Sequence, residues 1–384
     1  MTCVVRDASV NDHRGIFVAG SIPARAVFTM VDINHIRRIM AKKKKKLKAR
    51  KKPMLSVGST VLNLAISGKP DAALEPGDYM YFVGDSMSGK TWIAMSILAE
   101  AANNPAFSNY RLIYDDAERG ARMDVVKFFG KKMADRLEIV NSTYIEEFYF
   151  DLDDDFKGEK PFIRILDSMD CLDSFDDEDK FNEWKEAYAE GKETKGSYGM
   201  SKAKMNSTSI RRTMSRLEES GSILVVISQT RDDINPRTFS TKTRAGGRAL
   251  RFYATVEVWS SVAGTLKKTY KGKERELGVK VKYDVKKNRL TGRKRQVEVP
   301  IYTSVGIDDV GSCVDYLVAE KVWKTPTKGM IIATGIGPVL ELKREKLIRI
   351  IEQENLEEDV RELTGMTWQN VEDAIAIERK SRYA

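Results

Sequence analysis

The segment "YFVGDSMSGKTWIAMSIL", residues 81–98, constrains the fold of this chain more than any other stretch. It places the pattern G-x-x-x-x-G-K-[ST] between a β-rich apolar run and a helical stretch. In that arrangement successive backbone N–H groups and a helix N-terminus face the phosphates of a nucleotide. The pattern therefore predicts a nucleotide-binding loop at the end of a strand. Its residues are Gly84, Asp85, Ser86, Met87, Ser88, Gly89, Lys90 and Thr91.

Two residues of this loop have predicted roles in holding a nucleotide and its metal ion. Lys90 can reach the terminal phosphates, and the Thr91 hydroxyl can bind Mg²⁺. Such a site needs a second Mg²⁺ contact from a carboxylate that ends a neighbouring strand. The run "FIRILDS" supplies Asp167, whose alternative role is a helix N-cap. The expected ligands are therefore a nucleotide and Mg²⁺.

Hydrolysis also requires groups that activate water and contact the terminal phosphate. Glu118, in "YDDAERG", follows another predicted strand and suits the first role, although a surface salt bridge is an equal alternative. Gln229 ends the strand "SILVVIS", and its amide can hydrogen-bond a phosphate oxygen. Its alternative role is that of an ordinary polar residue at a strand end.

Short apolar runs alternate with helical stretches over the middle of the chain, which predicts an α/β fold with a mostly parallel twisted sheet and helices on both faces. The runs are 78–83, 111–116, 162–168 and 222–228, and the helical stretches lie near 90–103, 120–134 and 200–220. After Gly247, "LRFYATVEVWS", "ELGVKVKYDV" and "RQVEVPIYT" predict antiparallel strands that extend one edge of the sheet.

We divide the chain into three parts: 1–55, a basic arm or polymerisation segment; 56–309, the core; and 310–384, a small helical C-terminal domain. Nine of the eleven residues from Lys42 to Lys52 are basic, which fits either a solvated linker or a contact with a polyanion. The chain carries a formal net charge of +9, which also favours a polyanionic partner.

Two acidic clusters flank the third strand of the core, "DLDDD" at 151–155 and "DSFDDEDK" at 173–180. Their spacing fits no cation loop, and we interpret them as solvated acidic loops. The strand that ends at Gln229 is followed by "TRDDINPRTFSTKTRAGG", whose cations suit phosphate binding. Loops of that length are uncommon unless they are functional or disordered.

The motifs resemble those of the RecA/UvsX recombinases, the ATP-dependent DNA strand-exchange proteins, over roughly residues 56–320. "GDSMSGKT", "YDDAERG" and "ILDS" are similar to the family's phosphate loop, catalytic-glutamate strand and magnesium strand. "GSYGMSKAKMNSTSIRRTMSRLEESGSILVVISQTR" and "AGGRALRFYA" resemble its two DNA-binding loops and the elements around them. "VKKNR" is similar to its paired cations that reach the neighbouring subunit's ATP.

The resemblance implies a RecA-like P-loop ATPase core in which Glu118 is the general base and Gln229 contacts the γ-phosphate. Lys287 and Arg289 would complete the ATP site of a neighbouring subunit. Phe252 and Arg251 would link the DNA loops to that site. The implied DNA-binding residues are Tyr198, Met200, Lys204, Arg211, Arg231, Arg237, Lys242, Arg244, Gly246 and Gly247.

The function that the resemblance implies is a DNA-dependent ATPase that forms filaments on single-stranded DNA and catalyses homologous pairing and strand exchange. The alternatives are a RecA-fold accessory or regulatory ATPase and a hexameric helicase. Expected partners are single-stranded DNA, homologous duplex DNA and further copies of the chain, with single-strand-binding and mediator proteins beside them. The UvsX likeness favours a phage-encoded protein.

The expected location is the cytoplasm of a bacterium or of a phage-infected host, in association with DNA. Three widely spaced cysteines fit a reducing compartment. Because no run of eighteen apolar residues occurs, we expect no stable membrane insertion.

Overall fold

The computed structural model describes residues 52–120, 122–190, 200–232, 242–244, 247–327, 329–379 and 382. Residues 1–51 of the proposed N-terminal arm (1–55), with all of the lysine run except Lys52, lie outside these ranges. The described chain begins beside a short helix, α1 (Thr60–Ser67), that packs under the edge of a large sheet.

Six parallel strands form the centre of the sheet, in the order β7-β1-β5-β4-β2-β3. Their bounds are β1 (Tyr79–Gly84), β2 (Arg111–Asp116), β3 (Leu137–Val140), β4 (Phe162–Asp167), β5 (Ile223–Asp232) and β7 (Val256–Tyr270). Every residue of β1 and β4 is buried, because helices cover both faces of the sheet. The predicted fold class is therefore confirmed.

Antiparallel strands extend the sheet beyond β7, in the order β8, β9 and β10. Their bounds are β8 (Lys273–Asn288), β9 (Gln296–Tyr302) and β10 (Gly306–Ile307). A short strand, β6 (Lys242–Arg244), pairs antiparallel with the far end of β5. The predicted antiparallel extension is confirmed for β8 and β9, whereas β7 itself runs parallel to β1.

The core helices are α2 (Lys90–Asn103), α3 (Val125–Phe129), α4 (Lys131–Ala134), α5 (Ile145–Lys157), α6 (Phe175–Ala189), α7 (Met200–Ser220) and α8 (Gly247–Tyr253). Side chains of β1 alternate between two apolar clusters, with Met80 and Phe82 on one face and Tyr79, Tyr81 and Val83 on the other. This alternation is the two-residue period of a strand buried on both sides.

The structure corrects three local predictions. The stretch 120–134 is not one helix, because Gly130 adopts φ 85° and ψ 162° between α3 and α4. "LRFY" belongs to helix α8 and not to a strand, and Ala254 follows the end of the helix. The cluster at 151–155 is part of helix α5, and most of 173–180 begins helix α6, so neither is a loop.

The C-terminal part contains α9 (Asp309–Ala319), β11 (Met330–Ala333), β12 (Leu340–Lys343), α10 (Arg344–Gln353) and α11 (Glu357–Ala374). It has an apolar cluster of its own, which includes Cys313, Trp323 and Leu347. Helix α11 also contributes Trp368 to the main core. None of the described helices is long and apolar enough to cross a lipid bilayer.

Candidate functional site

The predicted phosphate loop lies at the C-terminal edge of the parallel strands. Strand β1 ends at Gly84 and helix α2 begins at Lys90, so residues 85–89 form the turn between them. A Cβ at Gly84 would overlap the hydroxyl and the carbonyl oxygen of Ser260. Gly89 adopts φ 74°, a region that residues with a side chain rarely occupy. Both glycines are therefore required by the geometry of the loop.

The Lys90 side chain is turned inward against its own loop. Its Nζ donates hydrogen bonds to the carbonyl oxygens of Gly84 at 3.1 Å and Asp85 at 2.7 Å. Burial lowers the pKa of Lys90, and the nearby carboxylates of Asp167 and Glu118 act in the opposite direction. The ammonium group is thus held beside the turn, where a phosphate would meet it.

Thr91 and Asp167 lie together, as the sequence predicted for a magnesium pair. The Thr91 hydroxyl donates to Asp167 Oδ2 at 2.7 Å, and the Tyr114 hydroxyl donates to the same oxygen at 2.8 Å. Burial raises the pKa of Asp167, and these two hydrogen bonds oppose the rise. A cation would relieve the cost of burying this carboxylate.

The donor set fits Mg²⁺ bound together with phosphates. Mg²⁺ usually takes one or two protein oxygens and completes its shell with water and substrate phosphate oxygens. Within the described residues no group of three or more His, Cys, Asp or Glu side chains could hold a metal by itself. Thr91 and Asp167 would therefore hold the ion only alongside a nucleotide.

Glu118 and Gln229, which the sequence placed at the ends of two separate strands, are hydrogen-bonded to each other. Gln229 Nε2 donates to Glu118 Oε1 at 2.8 Å, and the Ser168 hydroxyl donates to the same oxygen at 2.6 Å. Asp170 accepts hydrogen bonds from the Gln229 backbone N–H and the Ser228 hydroxyl, both at 2.7 Å. These contacts fix a carboxylate and an amide side by side at the sheet edge.

Several residues of this site were not predicted from the sequence. Ser168 and Asp170 lie within three residues of the end of β4 at Asp167, and that position was the signal that could have identified them. Ser260, whose hydroxyl lies 2.7 Å from that of Ser88, ends the parallel-paired part of β7. It was missed because β7 was expected to pair only antiparallel. Tyr114 lies inside β2, and no sequence pattern distinguishes it from a core tyrosine.

Lys287 and Arg289 lie at the C-terminal end of helix α8. Lys287 Nζ donates to the carbonyl oxygens of Arg251 at 2.8 Å and Phe252 at 2.7 Å. Arg289 donates to the carbonyl oxygen of Phe252 at 2.7 Å. Cations are favourable there because the last carbonyls of a helix carry partial negative charge. Burial, followed by the charge of Arg289, lowers the pKa of Lys287 to about 8.

The predicted DNA-binding residues fall into three groups. Lys204 and Arg211 are exposed on α7, and Gly247 begins α8 with φ 79°. For Met200, Arg231, Lys242 and Arg244 only the backbone is described; Met200 begins α7, and the other three lie in β5 and β6. Tyr198, Arg237 and Gly246 lie outside the described residues.

The fold and the site together define a RecA-like P-loop protein. A family model described as the RecA N-terminal domain matches residues 185–308. RecA of Rippkaea orientalis is 26% identical over 313 residues, which cover 80% of this chain and 82% of that protein. RecA of Nostoc punctiforme is 28% identical over 304 residues, covering 78% and 76%. The chain is thus similar in sequence to these RecA proteins over most of its length, as its motifs indicated.

Proposed function

We propose that this chain is an ATP-dependent homologous recombinase that forms filaments on single-stranded DNA and catalyses homologous pairing and strand exchange. Its role would lie in DNA recombination and repair. The observation that carries the proposal is the hydrogen bond between Glu118 and Gln229. One partner follows β2, at the position of a catalytic base. The other lies on β5, the strand that directly precedes the cation-rich sequence 233–244.

In the reaction ATP + H₂O → ADP + phosphate, different residues of this chain would bind the phosphates, hold Mg²⁺ and accept a proton from water. The N–H groups of residues 85–90 and the Lys90 ammonium would bind the phosphates, while Thr91 and Asp167 would hold Mg²⁺, which supplies charge neutralisation when it is bound. The Glu118 carboxylate would accept a proton from the attacking water. Ser168 orients that carboxylate through its hydrogen bond.

Gln229 would connect the reaction to DNA. Its amide has one partner in Glu118, and movement of β5 on DNA binding would shift the amide relative to the carboxylate. Because coupling between two ligand sites is reciprocal, ATP binding would also change the affinity for DNA. Lys287 and Arg289 would act in the site of the adjacent subunit, so the complete site would exist only in an assembled filament.

ATP hydrolysis with and without single-stranded DNA tests the proposal. Lys90→Ala should abolish hydrolysis because the phosphates lose a buried cation. Arg289→Ala should abolish the DNA-stimulated part and leave ATP binding by the isolated subunit unchanged. Lys286→Ala is the matched control, since this exposed lysine pairs with Asp284 and not with the end of α8.

Two results would refute the proposed recombinase function. Hydrolysis that does not respond to DNA would favour an accessory ATPase. Full DNA-stimulated activity in Arg289→Ala would exclude a site shared between subunits. If stimulation is strong and depends on both residues, strand exchange between a circular single strand and a homologous linear duplex is the direct assay of the remaining step.

A further inference from the structure

Strands β7 and β8 continue past their neighbours as a two-stranded ribbon. Strand β7 pairs with β1 only up to Gly84↔Ser260, and β8 pairs with β9 only up to Gly278↔Tyr302. Within the described chain, residues 267–270 and 273–276 therefore pair only with each other. We call residues 267–276 the ribbon tip. It extends from the same edge of the sheet as the phosphate loop, because β7 runs parallel to β1.

The turn of the ribbon tip is tight and locally determined. Lys271 has φ 51° and Gly272 has φ 74°, so both central residues of the two-residue loop have positive φ. That is the requirement of a type I′ turn, whose twist matches the twist of two antiparallel strands. The turn fixes the register of the last four residue pairs, and with it the side chains that share each face.

The register divides the charged residues between two different faces. Directly opposed residues of an antiparallel pair lie on the same face. The pairs Lys268↔Arg275 and Tyr270↔Lys273 form one face, which we call the cationic face. The pairs Lys267↔Glu276 and Thr269↔Glu274 form the other face. On that second face Lys267 Nζ lies 3.1 Å from Glu274 Oε2, as the register requires.

The cationic face has no carboxylate of its own. Lys268, Lys273 and Arg275 are exposed and form no ion pair with any other described residue. Lys271 adds a fourth positive charge, with its Nζ 5.5 Å from the centroid of the Tyr270 ring. The tip is only about 13 Å long at the rise of an antiparallel strand. The mutual repulsion of these charges would be relieved by a polyanion.

We propose that the cationic face of the ribbon tip binds the phosphate backbone of duplex DNA. A two-stranded ribbon fits the major groove, which is about 12 Å wide. Lysine and arginine are the usual partners of phosphate oxygens, and the Tyr270 ring is 58% exposed, which leaves it open to the backbone. Because contacts to phosphate oxygens carry no information about the bases, this contact needs no particular base sequence. The proposal rests on the recombinase function and adds a duplex contact outside the two DNA-binding loops.

Binding of the full-length protein to a fluorescent 30-base-pair duplex, measured by anisotropy over a range of salt concentrations without nucleotide, tests this contact. Lys268→Gln and Lys267→Gln remove the same charge from adjacent residues on opposite faces. We expect Lys268→Gln to reduce the slope of log K against log salt concentration by about 0.9, the value for one lost phosphate contact. Lys267→Gln should leave the slope unchanged. The triple variant K268Q/K273Q/R275Q should reduce it by about 2.7.

Three outcomes would overturn the proposal. If Lys267→Gln and Lys268→Gln change the slope of log K against log salt concentration equally, the net charge of the protein alone attracts the duplex. An unchanged duplex affinity of the triple variant would exclude the face as a DNA contact. An equal loss of affinity for a 30-nucleotide single strand would show that the face does not distinguish a duplex.

The ribbon variants also separate this proposal from the recombinase function. The substituted side chains are exposed, so the thermal unfolding temperature should not change. ATP hydrolysis stimulated by single-stranded DNA should also be retained in the triple variant. If single-stranded DNA does not stimulate hydrolysis by the wild type, the proposed recombinase function is refuted. The duplex-binding proposal is then still decided by the salt dependence of the ribbon variants.

Discussion

Arg164 is a buried arginine in the middle of an otherwise apolar strand, and its partners explain the acidic run that was interpreted as a solvated loop. Its guanidinium donates to Asp155 at 2.7 Å and to Asp115 at 2.8 Å, and all three side chains are almost fully buried. Asp155 lies on α5 and Asp115 on β2. The sequence could not predict this pairing, because the partners meet only after three elements have packed.

Substitution of Arg164 should destabilise the protein strongly. Arg164→Met keeps most of the side-chain volume but leaves the buried Asp115 carboxylate without its cation, which typically costs about 3–5 kcal/mol. Asp155 keeps its ion pair with Arg111 at 2.7 Å. Urea unfolding should show this loss of free energy. The double variant Arg164→Met/Asp115→Asn should lose less than the sum of the single variants. Strict additivity would show that the two side chains are not coupled.

Asp78, just before β1, should make stability depend on pH. Burial raises its pKa from 3.8 to about 6, and the hydrogen bond from the Glu75 N–H opposes the rise. Between these two values the folded state binds the proton and the unfolded state does not, so stability falls as pH rises. Asp78→Asn should remove this fall, which amounts to up to about 3 kcal/mol.

The comparison needs urea unfolding of the wild type and Asp78→Asn at pH 4 and pH 7. The advantage of the variant should be small at pH 4 and large at pH 7. Asp71→Asn, which changes an exposed carboxylate, is the matched control. Its free energy of unfolding should depend on pH in the same way as that of the wild type. If the free energies of unfolding of Asp78→Asn and the wild type differ by the same amount at both pH values, the pH dependence does not come from Asp78.

The main site residues could be predicted because their chemistry is local to strand ends. The motif gave Lys90 and Thr91, and the strand pattern put Asp167, Glu118 and Gln229 at one edge. What the sequence could not give were the distances between them or the supporting residues. Ser168 and Asp170 matter only through hydrogen bonds that cross from one strand to the next.

At the level of elements, α2 and α6 are helices of nearly equal length with opposite surroundings. Helix α2 has 14 residues, of which seven are buried between the sheet and neighbouring helices. Helix α6 has 15 residues and buries none of them; its N-terminal end is fixed by Ser174, whose side chain accepts from the Asp177 N–H, and by the contact of Phe175 with Tyr144. The two helices therefore differ in packing, since only α2 is held by buried side chains.

Hydrogen exchange should show this difference directly. The amides of α6 should exchange by local opening, well before those of α2, which require the core to unfold. Mass spectrometry of peptides from the two helices after short labelling times is the measurement. Comparable protection in both helices would mean that another surface covers α6 in solution.

Helix bounds were predictable where the helical stretch is long. The stretches 90–103 and 200–220 were predicted with the bounds observed for α2 and α7. The prediction failed at 120–134, where a glycine divides the apolar pattern, and at α8, whose short apolar run has no period of its own. Short elements take their conformation from the elements that pack against them. A single sequence does not show which elements those are.

At the scale of the whole molecule, the C-terminal part is joined to the core through α11. Glu372 accepts a hydrogen bond from Arg295 at 2.7 Å, and Trp368 packs in the main apolar core. Asp309 accepts two hydrogen bonds from Thr60, at 2.6 and 2.8 Å. The separate domain predicted for 310–384 remains a prediction, and these contacts give it a physical test.

Because α11 contributes to both apolar clusters, we expect one unfolding transition for residues 52–379. Trp368→Ala removes a side chain from the main core, and Trp323→Ala removes one from the C-terminal cluster. Each should lower the free energy of unfolding by about 3–5 kcal/mol. Calorimetry should show the same single transition moved to lower temperature in both variants. A second transition that moves only in Trp323→Ala would establish an independent C-terminal domain.

The strand order of the sheet also sets the timing of folding during synthesis. Strand β1 carries the phosphate loop, yet both of its neighbours, β5 and β7, come much later in the chain: Tyr79 pairs with Leu224 and Met80 with Val256. At 5–20 residues per second, roughly 7–30 s pass between synthesis of β1 and of its first neighbour. During that interval a wholly apolar strand leaves the ribosome unpaired. The nascent chain therefore depends on protection from aggregation until about three fifths of it has been made.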